Sequence, residues 1–206
     1  MPMRRQTPVQ SARGRPRTFD TEAAVERAMN VFWTRGYHAT ALPDLLRATK
    51  LSRGSLYAAF GDKHSLFLRA LDRYIADALA RMDVEFAPHR EPIDGLRAYF
   101  AGYVERNSGA NGRRGCLLVA TAMELAGRDA DVDRRIDGFF KAMEGRVADA
   151  LSRAKAAGKL ADGVEPSSAA RIIVCFVEGM RVVGKTAPAR VISQATADAL
   201  LDRFIR

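Results

Sequence analysis

The segment "LSRGSLYAAFGDKHSLF", Leu51 to Phe67, packs a helix start, a helix stop and a second helix start into one short span. Ser52 has the side chain to cap a short helix, and Gly61 the backbone freedom to close it. Asp62 then opens a longer helix with Phe67, Leu71, Tyr74, Ile75, Ala78 and Met82 on one face. Upstream, Val25, Ala28, Met29, Phe32 and Trp33 recur at helical spacing behind Asp20 or Thr21 as cap, and Gly36 ends that run. Thr40 is expected to cap a short helix over 41–49, whose first turn tolerates Pro43 because an N–H there lacks an intrahelical partner. Leu51 and Leu56 are expected to bury against Leu45 and Trp33.

Two short helices joined by a tight turn over Thr49–Leu51, packed on a longer leading helix, make a helix-turn-helix. Its second helix needs small polar residues, because bulky ones hold the backbone away from base edges. Arg53, Gly54 and Ser55 meet that need: the arginine offers a two-pronged donor to guanine, and the glycine permits close approach. Tyr57 can extend its hydroxyl to a phosphate. Lys63 stands in the first turn of the next helix, against the helix dipole, a placement that a phosphate would relieve. A plainer reading of the same pattern is a helical hairpin inside a core.

Beyond Pro88 the helices lengthen, over about 92–107, 116–127, 130–157, 166–185 and 190–205. They are separated by "GANGRRG", "GRDAD", "GKLADGVEP" and "TAPA". Strand alternation is absent, the run "IIVCFV" alone being ambiguous. The expected fold is all-α: a basic arm over 1–19, a helix-turn-helix unit over 20–66, and a helical ligand-binding and dimerisation bundle over 67–206, reached through the long fourth helix.

Composition narrows the class of partner. The chain of 206 residues carries a formal charge of +9, with a pI near 10.1, which favours a polyanion. Residues 1–19 hold Arg4, Arg5, Arg13, Arg15 and Arg17 and no acid. Two cysteines, Cys116 and Cys175, are too few for a disulfide scaffold and suit a reducing compartment. The start "MPMRRQTPVQ" lacks the apolar stretch of a signal peptide. The longest uncharged apolar run, Ile172–Val177, is far short of the ~20 residues of a membrane span. A cytoplasmic protein with no membrane partner is expected. His38, His64 and His89 are too scattered to ligate one metal ion, and no cofactor or enzymatic activity is expected.

From Asp20 to Ala70 the chain resembles the DNA-binding domain of the TetR family of bacterial transcriptional repressors. The matching stretches are "AVERAMNVFWTRGYHAT", "LPDLLRATKLSRGSLYAAF" and "DKHSLF". The most specific run is Ser52, Gly54, Ser55, Leu56, Tyr57, Phe60 and Lys63. The resemblance implies that Thr40, Tyr57 and Lys63 meet phosphates while Arg53 and Ser55 face bases, with Ser52 and Gly54 on the same surface. Lys50 stands where the family has glycine in the turn, so a left-handed backbone costing ~1–2 kcal/mol is expected there. His64 replaces a common glutamate and removes an acid near the phosphates. The arm "ARGRPRTFD" resembles an AT-hook core, so Arg13, Arg15 and Arg17 either follow the minor groove or make phosphate contacts alone.

The same resemblance implies a homodimer built by the last two long helices, a palindromic double-stranded operator with half-sites about 34–36 Å apart, and a cavity for a small-molecule inducer. Helix 166–185 is apolar on most sides, and Ala195 and Ala199 permit close approach of a partner helix. Cavity candidates are Tyr99, Phe100, Tyr103, Cys116, Met123, Phe139, Phe140, Met143, Phe176 and Met180, although such a stripe also describes ordinary core. Cys116 admits two readings. In "NGRRGCLLVATAMEL" it follows Arg113 and Arg114 at a helix start, a setting that favours a thiolate. The Gly-Cys-Leu segment, with Lys185, resembles a branch containing electrophile- and oxidant-responsive repressors. Alternatively Cys116 fills a small apolar site, and Cys175, inside its apolar run, is expected to be inert.

Two rival classes remain open. "GMRVVGKT", Gly179 to Thr186, matches the phosphate-binding loop of nucleotide hydrolases letter for letter, but lacks the parallel sheet that loop requires. A nonspecific architectural DNA-binding protein built on the basic arm is the other. Deleting residues 1–17 is expected to flatten the salt dependence of DNA binding, by roughly one unit of slope for each phosphate that the arm neutralises. An unchanged slope in binding measured across salt would show that the arm does not touch DNA.

Overall fold

The computed structural model describes residues 19–86, 91–108, 112–186 and 193–206, and contains nine helices there. Arg13, Arg15 and Arg17 lie outside the described residues. Helix α1, Thr21–Arg35, starts where the Asp20 side chain accepts the Ala23 N–H at 3.1 Å, and stops at Gly36 with φ +81°. Helices α2, Leu42–Thr49, and α3, Arg53–Phe60, follow. Phe32, Leu45, Leu56, Leu66 and Phe67 close a shared core, all essentially inaccessible to solvent. Fully burying such a side chain is worth about 2 kcal/mol. The rings of Phe32 and Phe67 meet edge to face at 4.9 Å. Lys50, between α2 and α3, takes the left-handed conformation at φ +59°.

Two local expectations are overturned. The cap residue of α2 is Ala41, and the Asp44 carboxylate accepts its N–H at 3.1 Å. Thr40 instead turns inward, 1% exposed, and donates its hydroxyl to the Gly36 carbonyl at 2.6 Å. That bond satisfies a carbonyl just past the end of α1, so the residue serves the preceding helix rather than the following one. Trp33 does not sit against α3. It lies on the other side of α1, edge to face with Tyr74 at 5.0 Å, and donates Nε1–H to the Gly115 carbonyl at 3.2 Å.

The second half consists of α4, Lys63–Phe86; α5, Pro92–Asn107; α6, Leu117–Leu125; α7, Ala130–Ala156; α8, Pro166–Val183; and α9, Gln194–Leu201. The Asp129 side chain starts α7 by accepting the N–H groups of Asp131 and Val132. Helix α9 is shorter than its expected 190–205, and 187–192 are outside the described residues. Its early end has a clear cause. The Phe204 carbonyl accepts from Ala161 N at 2.9 Å and Arg206 N donates to the Lys159 carbonyl at 2.9 Å, pairings a continuing helix cannot make. That contact, Leu160 with Ile205, is an isolated bridge, and no strand occurs among the described residues. Gly179–Val183, inside the apparent phosphate-loop motif, are ordinary helix within α8.

Polar contacts across long sequence separations join the halves. Glu124 on α6 accepts the N–H groups of Tyr37 and His38 at 2.9 and 2.6 Å. Arg114 donates to Asn30 Oδ1 at 2.8 Å and lies 4.1 Å over the Trp33 ring. Farther along, Arg135 and Arg146 on α7 bind Asp72 and Asp83 on α4, each at 2.7 Å through Nε. The long fourth helix is thereby pinned to the bundle along its length.

Lys50→Gly is expected to raise the unfolding free energy by about 1 kcal/mol, because the side chain is exposed while its Cβ strains a left-handed backbone. Chemical denaturation measures this, and an unchanged or lowered midpoint contradicts it.

Candidate nucleic-acid interface and ligand cavity

Helix α3 turns its Leu56 and Phe60 inward and leaves Arg53, Gly54 and Tyr57 outside. Ser52 holds the helix start: its hydroxyl accepts the Ser55 N–H at 3.1 Å and lies 2.9 Å from the Ser55 hydroxyl. Arg53 forms no ion pair among the described residues, whereas nearby Arg35 and Arg47 are both bound by Asp44. A Cβ built on Gly54 meets nothing within 4 Å, so internal packing does not demand glycine there. The small residue serves whatever approaches from outside. Tyr57 is 42% exposed, high for an aromatic ring on a short helix with a buried side.

Lys63 is half-buried, its ammonium 4.3 Å from the centre of the Tyr37 ring. Partial burial lowers its pKa from the usual lysine value, with Glu124 acting in the opposite direction. Asp62 caps the same helix by accepting the Ser65 N–H. His64 departs from its expected position on the DNA side. Its Nε2 lies 2.6 Å from Asp129 Oδ2, so the ring faces the second half, drawn there by the carboxylate that caps α7. Thr40, already committed to Gly36, is likewise turned inward.

A cavity of about 340 Å³ lies between α1, α4, α5, α7 and α8. Of the sequence candidates, Tyr99, Tyr103, Phe139 and Met143 line it. Phe100, Cys116, Phe140, Phe176 and Met180 do not; Phe100 and Met180 are plain core. Met123 is 85% exposed. Helix α6 buries Leu117, Leu118, Thr121 and Leu125 on one face, which puts position 123 on the opposite face. The sequence reading missed Met29 and Trp33 from α1, Tyr74, Arg114, and above all Glu178 and Arg181. The last two are charged residues set three apart in the apolar second half of the helix, after Arg171, and that exception was the available signal.

Arg181 Nη2 donates to the Tyr74 hydroxyl at 2.9 Å and to the Gly115 carbonyl at 3.2 Å. Its Nη1 is 4.0 Å from Glu178 Oε1. Tyr103 donates to the Val177 carbonyl at 2.8 Å. Burial raises the pKa of Tyr74, Tyr99 and Tyr103, keeping all three phenols neutral. Burial also raises Glu178, opposed by Arg181. Arg181 remains charged, burial acting against the charge and neighbouring Glu178 acting for it.

Of the two readings of Cys116, the geometry agrees with the enclosed apolar site. The side chain is 4% exposed, and burial pushes its thiol up to about 11, with Glu178 adding to the rise and Arg181 opposing it. Arg113 points to solvent and Arg114 is engaged by Trp33 and Asn30. The Tyr74 hydroxyl lies 3.6 Å from Sγ. Lys185 packs its carbon stem against Gly115, where a Cβ would come within 3.0 Å of it. Cys175 is the exposed thiol of the pair, on the outer side of α8.

Comparisons with known proteins agree with this geometry. Residues 24–70 match the family described as bacterial regulatory proteins, tetR family. Residues 92–196 match the tetracyclin repressor-like C-terminal domain. The chain is 30% identical to the HTH-type transcriptional repressor ComR of Escherichia coli over 84% of this chain and 83% of that protein. It superposes on a cysteine-substituted form of the regulator CifR, complexed with 26-bp double-strand operator DNA, with a TM-score of 0.79 and 29% identity, covering 93% of this chain and 100% of that one. Reduced NemR of Escherichia coli shares the fold, with a TM-score of 0.79 at 20% identity over 90% and 96% of the two chains. The protein whose α3 turns Arg53, Gly54 and Tyr57 outward in this way belongs to the TetR family and is a DNA-binding transcriptional regulator rather than an enzyme.

Proposed function

We propose that this chain is a cytoplasmic, homodimeric repressor that grips a palindromic operator through α3 and releases it when a small molecule enters the cavity between α1, α4, α5, α7 and α8. One observation carries the reading: Arg53, Gly54 and Tyr57 form an exposed wedge that the protein itself does not use. Arg53 and Ser55 read base edges, while Tyr57 and Lys63 hold phosphates, and the arm Arg13, Arg15 and Arg17 adds backbone or minor-groove contacts. The operator complex of CifR supports the mode of binding, and the naming of ComR as a repressor supports the sign of regulation.

Dimerisation is supported by α8. Ile172, Cys175, Gly179, Val182 and Val183 lie on an outward stripe, and the three aliphatic side chains are about half exposed. That stripe is apolar at a spacing suited to a neighbouring helix. Ala195 and Ala199 are exposed on α9 and extend the same kind of surface. Release by a ligand rather than by thiol modification is supported by the protonated, enclosed state of Cys116. It is supported further by the cavity wall, which includes Met29 and Trp33 of α1. An occupant there touches the helix on which the DNA-reading unit is built.

Footprinting of genomic fragments is expected to show one protected palindrome. Arg53→Ala is expected to cost about 1–3 kcal/mol at that site and to relax its preferred base, with little effect on binding to random duplex. Uniform protection of all duplexes would instead identify an architectural protein, and equal losses on operator and random DNA would assign Arg53 to phosphate.

A further inference from the structure

We infer, resting on the reading of the cavity as the inducer site, that it takes a small uncharged molecule whose apolar body ends in a hydroxyl or carboxamide, received by Glu178 and Arg181. The pair is the deeply buried charged part of a wall that also carries Asp77, Arg81, Arg106, Asn107 and Arg114. Glu178 and Arg181 sit one turn apart on α8, both deeply buried and both lining the cavity. Their nearest atoms are 4.0 Å apart, beyond direct hydrogen-bonding distance. Glu178 Oε2 and Arg181 Nε have no hydrogen-bond partner among the described residues, although both atoms are buried. Buried polar atoms are ordinarily satisfied, so one acceptor and one donor remain to be matched at this wall.

The rest of the wall specifies the body of the ligand. Tyr99, Tyr103, Phe139 and Met143 supply aromatic and thioether surface, and a volume of about 340 Å³ is at the small end for ligand sites. The charge balance specifies the head. Arg181 and Glu178 carry opposite formal charges 4.0 Å apart, so a carboxylate or ammonium on the ligand would bring an unmatched charge beside a deeply buried pair. A hydroxyl or primary amide needs no compensating ion. Its O–H or N–H donates to Oε2 and its oxygen accepts from Nε. The other charged residues of the wall, Asp77, Arg81, Arg106 and Arg114, are more exposed than this pair, so solvent screens their charges. Arg106 is bound to Glu85, Arg114 is stacked on Trp33 and bonded to Asn30, and Arg81 is exposed at the surface.

The inference is tested by calorimetric titration of the full chain, without DNA, using four molecules of one body: benzyl alcohol, benzamide, benzoate and benzylamine. The alcohol and the amide are expected to bind, and benzoate and benzylamine to bind at least about tenfold more weakly. This ordering is read on the unaltered protein and depends on no variant folding. Glu178→Gln removes the offsetting charge while keeping the side-chain shape. It is expected to strengthen benzoate binding by at least about tenfold, because Arg181 then lacks its counter-charge. Benzoate or benzylamine binding as tightly as benzamide, no binding by any of the four, or a Glu178→Gln protein with unchanged benzoate affinity would each overturn the inference. Operator footprinting is independent of these titrations, so failure of the ligand class and failure of the repressor reading are separately visible.

Discussion

The carbonyl of Gly115 is shared by the two halves of the molecule. It accepts Trp33 Nε1–H from α1 and Arg181 Nη2–H from α8, both at 3.2 Å. A carbonyl oxygen has two acceptor sites, and here each is taken by a different half. The position admits only glycine comfortably, since φ is +71° and a Cβ would press on the Lys185 stem at 3.0 Å. A substitution there would have to strain the backbone or displace Lys185. The Arg181 guanidinium and the Trp33 ring are thus linked through one oxygen, and Trp33 belongs to the helix that leads into the helix-turn-helix.

Neighbouring contacts make this joint directional. Glu124 holds the N–H groups of Tyr37 and His38 just beyond the end of α1, and His64 meets Asp129 at the start of α7. Individually such partly exposed contacts contribute modestly. Together they fix where α1 and α4 stand relative to α6 and α7, and thus where α3 points. For a two-fold dimer reading successive turns of duplex, a small rotation at this joint changes the separation of the two α3 helices. Recognition helices must stay about one DNA turn apart to bind together. A cavity bounded by both α1 and α8 lies where such a rotation can be biased.

The helix-turn-helix was legible because its determinants are local. The Ser52 cap, the Gly36 and Gly61 stops, the left-handed Lys50 and the buried Leu45 and Leu56 each follow from a residue and its near neighbours. The joint was not legible, because Trp33 with Gly115, Glu124 with Tyr37 and His64 with Asp129 are separated by 82, 87 and 65 residues. Polar pairs of that kind leave no periodic trace. Thr40 shows the limit of even local reading, since a threonine between two helices can serve either one, and here it serves the end of α1. Among cavity residues, aromatic and methionine content found four wall positions but could not give the helix face. Met123 therefore falls outside although its residue type suits a pocket.

Cys116 and the Glu178–Arg181 pair show the same physics from opposite directions. Sequence neighbours suggested an activated thiol: two arginines, a glycine and a helix start. Enclosure reversed it, because removing water from the sulfur costs the thiolate more than the backbone N–H groups and Arg181 return, and Glu178 adds repulsion. On α8 the sequence reading took in the apolar residues and passed over Glu178 and Arg181. Enclosure made them the strongest polar feature of the interior, since the medium that suppresses an isolated thiolate also magnifies the difference between a matched and an unmatched charge. A local cue based on charge thus predicts chemistry only after the surrounding packing is known: here the packing encloses the sulfur and sets a carboxyl and a guanidinium in the cavity wall.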